Sequence, residues 1–238
     1  MTTVSPKKAP TKFKLSLLVA IPALVVMTGG LIVFFTLTNT RSTMEDFGWA
    51  LFREATNQSI NETRNVIREA IPDIETLRNL YLRGILQRDN NWQARYYAEL
   101  LRSHKEYSWV SYGDESGTFV GANRPDATSK LLRTNISWLR GKKTESYEYN
   151  VDEAGNQTLF KYDPDAGYDP RNRPFYEIAK KAGKRVWTPP YIFFEQGVPG
   201  ITCAMPVYAN GKQLKGVFSI DFDLNSLSEI VAKAKVSE

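Results

Sequence analysis

The chain has 238 residues, 24% of them charged and 12% aromatic, with a net charge of +5. Lys7, Lys8, Lys12 and Lys14 stand near the N-terminus, and beyond them both signs mix, so there is no basic stripe of the kind nucleic acid needs. One cysteine, Cys203, and one histidine, His104, exclude an intrachain disulfide and a Cys/His metal site, no Gly-rich phosphate loop occurs, and no cofactor is expected.

Residues 15–37 carry no charge. As a helix rising about 1.5 Å per residue they reach roughly 34 Å, enough to cross a hydrocarbon core of about 30 Å. The run is longer than the apolar region of a signal peptide and no small-x-small cleavage pattern follows it, which predicts an uncleaved transmembrane anchor. The four lysines precede it, and only Arg41 follows closely, before Glu45 and Asp46. The positive-inside rule then puts the tail, 1–14, in the cytoplasm and everything after residue 38 outside the inner membrane, in the periplasm or extracellular space. Fourteen residues are too few for an output module, so the chain is expected to be the receiving part of a longer receptor.

From 38 to 86 the spacing predicts a long helix whose apolar face holds Ile67, Ile71, Ile74, Leu77, Tyr81 and Ile85. That face packs on a core or pairs with a second copy in a homodimer, and Pro72 kinks the helix or starts a new one. Asn90 to Arg102 reads as a second helix with Trp92, Tyr96 and Leu100 on one side, and His104 near its end as a surface residue. Tyr107–Tyr112 and Thr118–Val120 read as one hairpin and Glu145–Asn150 with Gln157–Tyr162 as another. A loop rich in Pro and Asp, 162–174, leads into a short helix, 175–182. Strands follow at Trp187–Phe194, Ile201–Val207 and Gly216–Asp223, the last two joined at Asn210-Gly211, with a helix over 224–235. Cys203 lies in an apolar strand-like run and reads as a buried, inert thiol. The order predicts an α+β fold, an antiparallel PAS-like sheet over 87–238 behind the long helix.

The segments Tyr168-Asp-Pro-Arg171-Asn-Arg173-Pro-Phe175-Tyr176, Trp187-Thr-Pro-Pro-Tyr191 and Gly216-Val-Phe-Ser-Ile-Asp221 resemble the membrane-distal module of a double Cache domain. Such domains are extracytoplasmic sensors of bacterial chemoreceptors, histidine kinases and nucleotide cyclases. The resemblance is sharp over 160–227 and looser over 40–160, and it implies a non-enzymatic binding segment. In the family a membrane-proximal module and another span follow. Carried onto this sequence, the set shared by amino-acid-binding members falls on Tyr168, Arg173, Phe175, Tyr176, Tyr191 and Asp221.

The chemistry of that set suits an α-amino acid or amine. Arg173 offers a planar fork for a carboxylate, Asp221 a counter-charge for an ammonium, and the tyrosines hydroxyls or ring faces. Phe175 stands where the amino-acid binders have tryptophan and lacks the indole N–H, which leaves other small cationic or zwitterionic metabolites as alternatives. Arg171 or Arg173 could instead pin the loop through Asp163, Asp165 or Asp169, Trp187 reads as core, and Asp223 as a helix cap. Two further readings remain: a hydrolase using Asp221 and Asp223, which share a strand face, and a structural or dimerisation module with a degenerate pocket.

Overall fold

The computed structural model describes residues 22–35, 64–65, 67–87, 89–125, 130–225 and 228. The chain divides into two compact units, 1–58 and 59–238. In the first unit the described part is a helix over 22–35 with apolar, exposed side chains, where Thr28 Oγ1 donates back to the Leu24 carbonyl at 2.9 Å. No described helix is long and apolar enough to cross a membrane. The predicted span, 15–37, runs past this helix at both ends into residues outside the described ones. The tail and most of 38–63 also lie outside them.

The second unit begins with helix α1, 67–82, which buries Ala70, Ile74 and Leu77 and runs on through Pro72. Ile85, predicted on its buried face, lies past the end of the helix and is exposed, and Leu86 is buried instead. Helix α2, Asn90–Ser103, starts at Asp89, whose Oδ1 accepts the Trp92 N–H at 2.7 Å. Its buried stripe is Gln93, Ala94, Tyr97, Ala98 and Leu101, one position on from the predicted one. The small side chains of Ala94 and Ala98 let the helix lie close to the sheet, while Trp92 and Tyr96 stack at its flank, 5.8 Å apart. His104 is not a free surface residue. Its ring stacks on Tyr107 at 4.6 Å and its Nε2 lies 3.1 Å from Asp73, tying the end of α2 to α1.

Nine strands form one antiparallel sheet among the described residues: β1 Trp109–Asp114, β2 Phe119–Asn123, β3 Leu132–Arg140, β4 Lys143–Val151, β5 Gln157–Asp163, β6 Val186–Trp187, β7 Tyr191–Ile192, β8 Pro199–Ala209 and β9 Gln213–Asp223. The order is β5-β4-β3-β2-β1-β9-β8-β6, with β7 also on β8. Both predicted hairpins are present, but β3, unpredicted, stands between them and joins them into one sheet. Asn210 (φ 50°) and Gly211 (φ 69°) turn β8 into β9, the left-handed pair a tight hairpin needs. The predicted strand Trp187–Phe194 is broken: Pro189 and Pro190 have no N–H for a ladder, so only the two-residue β6 and β7 pair with β8. Of the predicted closing helix, only residues 224–225 and 228 fall within the described ones, and they are helical.

Side chains alternate across the sheet. Val110, Tyr112, Val120, Ala122, Phe218, Ile220 and Phe222 belong to the main core with α1 and α2. Cys203 is fully buried there, and burial pushes its thiol up to about 12. Trp187 packs on the same core, 5.8 Å from Phe222, as core rather than ligand contact. The intervening residues, Trp109, Ser111, Ser219 and Asp221, point to the other face, where a short 3-10 turn, Pro170–Asn172, and helix α3, Pro174–Ala182, lie. Phe175, Tyr176 and Ala179 of α3 seal onto Ala204 and Val217 as a second small core.

Candidate functional site

The covering loop is fixed before it offers anything to a ligand. Asp169 caps the 3-10 turn by accepting the Arg171 N–H at 3.0 Å. The Arg171 guanidinium then grips Asp169 with two prongs, at 2.9 and 2.8 Å, and donates to the Glu115 carbonyl at 3.2 Å. The Arg171 charge holds Asp169 below the usual carboxylate range, chiefly through that side-chain hydrogen bond. Gly113 on β1 lets the loop close: a Cβ there would stand 2.7 Å from Pro170 Cβ. Arg171 is thus the loop pin.

Arg173, two residues on, does other work. Its Nη2 donates to the Ile192 carbonyl at 2.8 Å, and its guanidinium carbon lies 5.8 and 5.7 Å from the ring centres of Tyr191 and Phe194. It makes no ion pair with Asp163, Asp165 or Asp169 among the described residues. Pro174 then opens α3 at its first turn. Phe175 and Tyr176 are both buried, but successive helical residues are about 100° apart and part company. Phe175 faces the cavity. Tyr176 turns away, and its hydroxyl donates to Glu115 Oε1 at 2.7 Å, where Lys180 Nζ also donates at 3.1 Å. Tyr176, expected as a ligand contact, is not among the cavity-lining residues, and its hydrogen bond anchors α3.

Asp221 lies in the middle of the covered face. Its Oδ1 accepts from Thr202 Oγ1 at 2.9 Å, and Thr202 is in turn 2.9 Å from the Tyr191 hydroxyl. Loss of water pushes the Asp221 carboxyl up to about 7, against the opposing pull of Thr202, Ser219 and the Arg173 charge. Tyr168 stands between Phe119 and Phe194, at 5.0 and 5.1 Å, and its phenol is driven above its ordinary value by burial first and the Asp221 charge second. Trp109 pairs with Asp221 across the strands and donates its indole N–H to Gln196 at 3.0 Å.

These residues enclose a cavity of about 100 Å³, room for a molecule of several heavy atoms, since a single water needs roughly 10–15 Å³ on this measure. Tyr168, Arg173, Phe175, Tyr191 and Asp221 all line it; Tyr176 does not. Asp223 is not among the lining residues either, so the cavity holds no Asp221–Asp223 pair for hydrolysis. Sequence reasoning missed Trp109, Ser111, Asn135, Ser137, Ser146 and Glu148, which also line it. The available signal was the alternation of polar residues along 133–148, readable only once β3 is recognised as a strand.

Residues 123–229 match the family model described as methyl-accepting chemotaxis protein-like, first PDC sensor domain. This stretch is similar to a PDC sensor domain. The chain is 44% identical over 146 residues to the methyl-accepting chemotaxis protein McpA of Pseudomonas putida, covering 59% of this chain and 20% of that protein. With the methyl-accepting chemotaxis protein PscA of Pseudomonas syringae pv. tomato it shares 41% over 88 residues, 37% of this chain and 13% of that one. The chain therefore spans a fifth or less of the length of these relatives. Among solved structures, the chain is similar to the ligand-binding domain of the Pseudomonas aeruginosa amino acid chemoreceptor PctC in complex with GABA, at 23% identity and a TM-score of 0.48 over 74% of this chain and 64% of that one. A second is the corresponding domain of PctB in complex with L-Arg, at 24% identity and 0.46, over 71% and 54%. The α+β fold with an antiparallel, PAS-like sheet, expected from the sequence, is the fold observed.

Proposed function

We propose that the chain is the extracytoplasmic sensing part of a membrane-anchored chemoreceptor, and that its cavity takes an α-amino acid, or failing that a small amine. The organisation we propose is a cytoplasmic tail over 1–14, a transmembrane helix over 15–37, a connecting helical segment over 38–86 that contains α1 and ends in a turn, and the sensor module over 87–238. The methyl-accepting relatives favour an output of that type, rather than a kinase or cyclase, in the full-length receptor. A homodimer through the connecting helix is part of the same reading.

One observation carries the ligand assignment. Arg173 and Asp221 face one cavity, each within the other's field, between the rings of Tyr168, Phe175 and Tyr191. A guanidinium fork and a buried carboxylate bracket the carboxylate and ammonium of a zwitterion. Phe175 contributes a ring and no donor, so the grip on the carboxylate falls on Arg173. Desolvation has already raised the free energy of ionised Asp221, and an arriving ammonium would relieve it.

The test is calorimetric titration of the full chain in detergent with a panel of amino acids and small amines. Saturable binding of at least one amino acid, weakened tenfold or more in Arg173→Ala, is the expected result. A panel that yields no binding heat, with the protein folded by circular dichroism, overturns the reading.

A further inference from the structure

The cavity continues well beyond Asp221. On its face of the sheet, the register aligns Lys161 of β5, Glu148 of β4, Asn135 of β3, Gly121 of β2, Ser111 of β1 and Ser219 of β9 in a single row. Asp163, Ser146 and Ser137 form a second row beside it at the β5 end. Gly121, in the middle of the first row, makes room for the Phe119 ring: a Cβ there would stand 2.9 Å from that ring and 3.2 Å from Ser111 Cβ. The lining thus runs from the Asp221 end past the Phe119 ring toward β3–β5.

That far end is polar, buried and unbalanced. Ser137 is 1% exposed, lines the cavity, and its hydroxyl has no hydrogen-bond partner. Buried polar groups are normally satisfied, so an unpartnered hydroxyl aimed into a cavity points to an occupant. Glu148 is 7% exposed, and burial, then the neighbouring Glu195 charge, raises its carboxyl above the usual range. Its nearest cation, Lys161 Nζ, stands at 3.6 Å, longer than a hydrogen bond, and is shared with Asp163 at 3.8 Å. Glu148, Asp163 and Glu195 stand against Lys161 on the lining, with Arg133 just outside it also acting on Glu148, which leaves one excess negative charge at this end. A water could satisfy Ser137 but would leave that charge unanswered.

We infer that the β3–β5 end of the cavity is a side-chain subsite, formed by Ser137, Glu148 and Asn135, for a long, terminally cationic side chain, so that the preferred ligand is an α-amino acid of the arginine or lysine class. The inference rests on the reading in which Arg173 and Asp221 hold the α-carboxylate and α-ammonium. Three strand spacings of about 4.8 Å across the sheet, and the four-residue offset along it between the Asp221 and Ser137 rows at about 3.4 Å each, put the two backbone positions roughly 20 Å apart before side chains reach in. Only a long side chain anchored at Arg173 and Asp221 approaches Ser137 and Glu148.

The experiment is calorimetric titration of the full chain with L-arginine, its uncharged counterpart L-citrulline, and L-alanine, repeated on Glu148→Gln and Lys161→Met. Arginine should bind at least tenfold more tightly than citrulline. Glu148→Gln should weaken arginine at least tenfold and change alanine less than twofold. Lys161→Met, which removes the competing cation, should tighten arginine severalfold. Equal affinity for arginine and citrulline, a uniform loss in Glu148→Gln, or weaker arginine binding in Lys161→Met overturns the subsite. If alanine binds without any preference for arginine, the subsite falls and the amino-acid reading stands; if none of the three binds, and the wider panel is also silent, both fall.

Discussion

Thr202 holds Asp221: its Oγ1 donates to Asp221 Oδ1 at 2.9 Å, while the Tyr191 hydroxyl, 2.9 Å from the same oxygen, supplies the hydrogen bond that orients it. The threonine cannot swing away. Its N–H donates to Thr188 Oγ1 at 3.0 Å and its carbonyl accepts from the Thr188 N–H at 3.0 Å. Thr202→Val keeps the shape and removes the donor. A hydrogen bond to a charged group contributes about 1.5–3 kcal/mol, so affinity for a zwitterionic ligand should fall roughly ten- to a hundredfold. Titration calorimetry measures this, and carbon NMR of the Asp221 carboxyl should show its pKa moving up.

Asp221 also makes the unliganded protein pH-sensitive. Its folded pKa, about 7, lies above the ordinary 3.8. The unfolded chain therefore gives up the proton first, and the stability associated with protonated Asp221 is present below about pH 4 and lost as pH rises through 7. The loss is on the order of a few kcal/mol, since each pKa unit corresponds to about 1.4 kcal/mol. Asp221→Asn cannot ionise. Its melting temperature should match wild type near pH 4, exceed it increasingly up to pH 7, and keep a constant lead above that.

The same carboxyl predicts proton release on binding. An ammonium placed beside Asp221 favours the ionised form and pulls its pKa down. Near pH 7 up to about half a proton should leave per ligand bound, approaching one near pH 6, and affinity should rise from pH 6 to pH 8. Binding enthalpies in two buffers of different ionisation heat give the proton count, and Asp221→Asn should abolish it.

Arg171 and Arg173 are two residues apart with different duties. Arg171→Ala removes a partly exposed pair with Asp169, so it should cost about 0.2–1 kcal/mol of stability and change ligand affinity less than threefold. Arg173→Ala should leave the melting temperature nearly unchanged and remove binding. Thermal melts and titrations of both variants separate the roles.

Gly200 is a steric prediction. A Cβ on it would meet Phe193 Cζ at 2.1 Å and the Phe222 carbonyl at 2.7 Å. Since β8 and β9 are paired there, Phe193 must yield, and Phe193 lines the cavity. Gly200→Ala should destabilise the protein by about 1–3 kcal/mol, as overpacking does, and weaken ligand binding as well. Denaturant unfolding and titration calorimetry check the two effects.

Local chemistry made much of this fold legible. The Asn210-Gly211 turn, the hairpins and α3 after Pro174 each follow from a few adjacent residues. Strand β3 was not legible, because its cavity-facing residues Asn135 and Ser137 are polar and imitate a solvent face. The inward turn of polar side chains is a tertiary fact, decided by the loop that covers them. The helix stripes slipped for a related reason: large aromatic residues mark amphipathicity in a sequence, whereas Ala94 and Ala98 mark closest approach. In the site, the motif pointed to Arg173 and Asp221, which line the cavity, but the helical turn between Phe175 and Tyr176 decided which of two adjacent rings faces it.

Strand β9 has both faces occupied. Asp221 projects to the cavity while Ile220 and Phe222, its immediate neighbours, are wedged in the core beneath α1 and α2. The Asp221 carbonyl is clamped as well, by the Ser108 N–H at 2.8 Å and its hydroxyl at 3.0 Å. The peptide carrying the ligand's counter-charge thus has no slack of its own, and any displacement imposed on it from the cavity side must be absorbed by the helical layer on the other. In this strand, recognition and packing form one mechanical part, two residues thick.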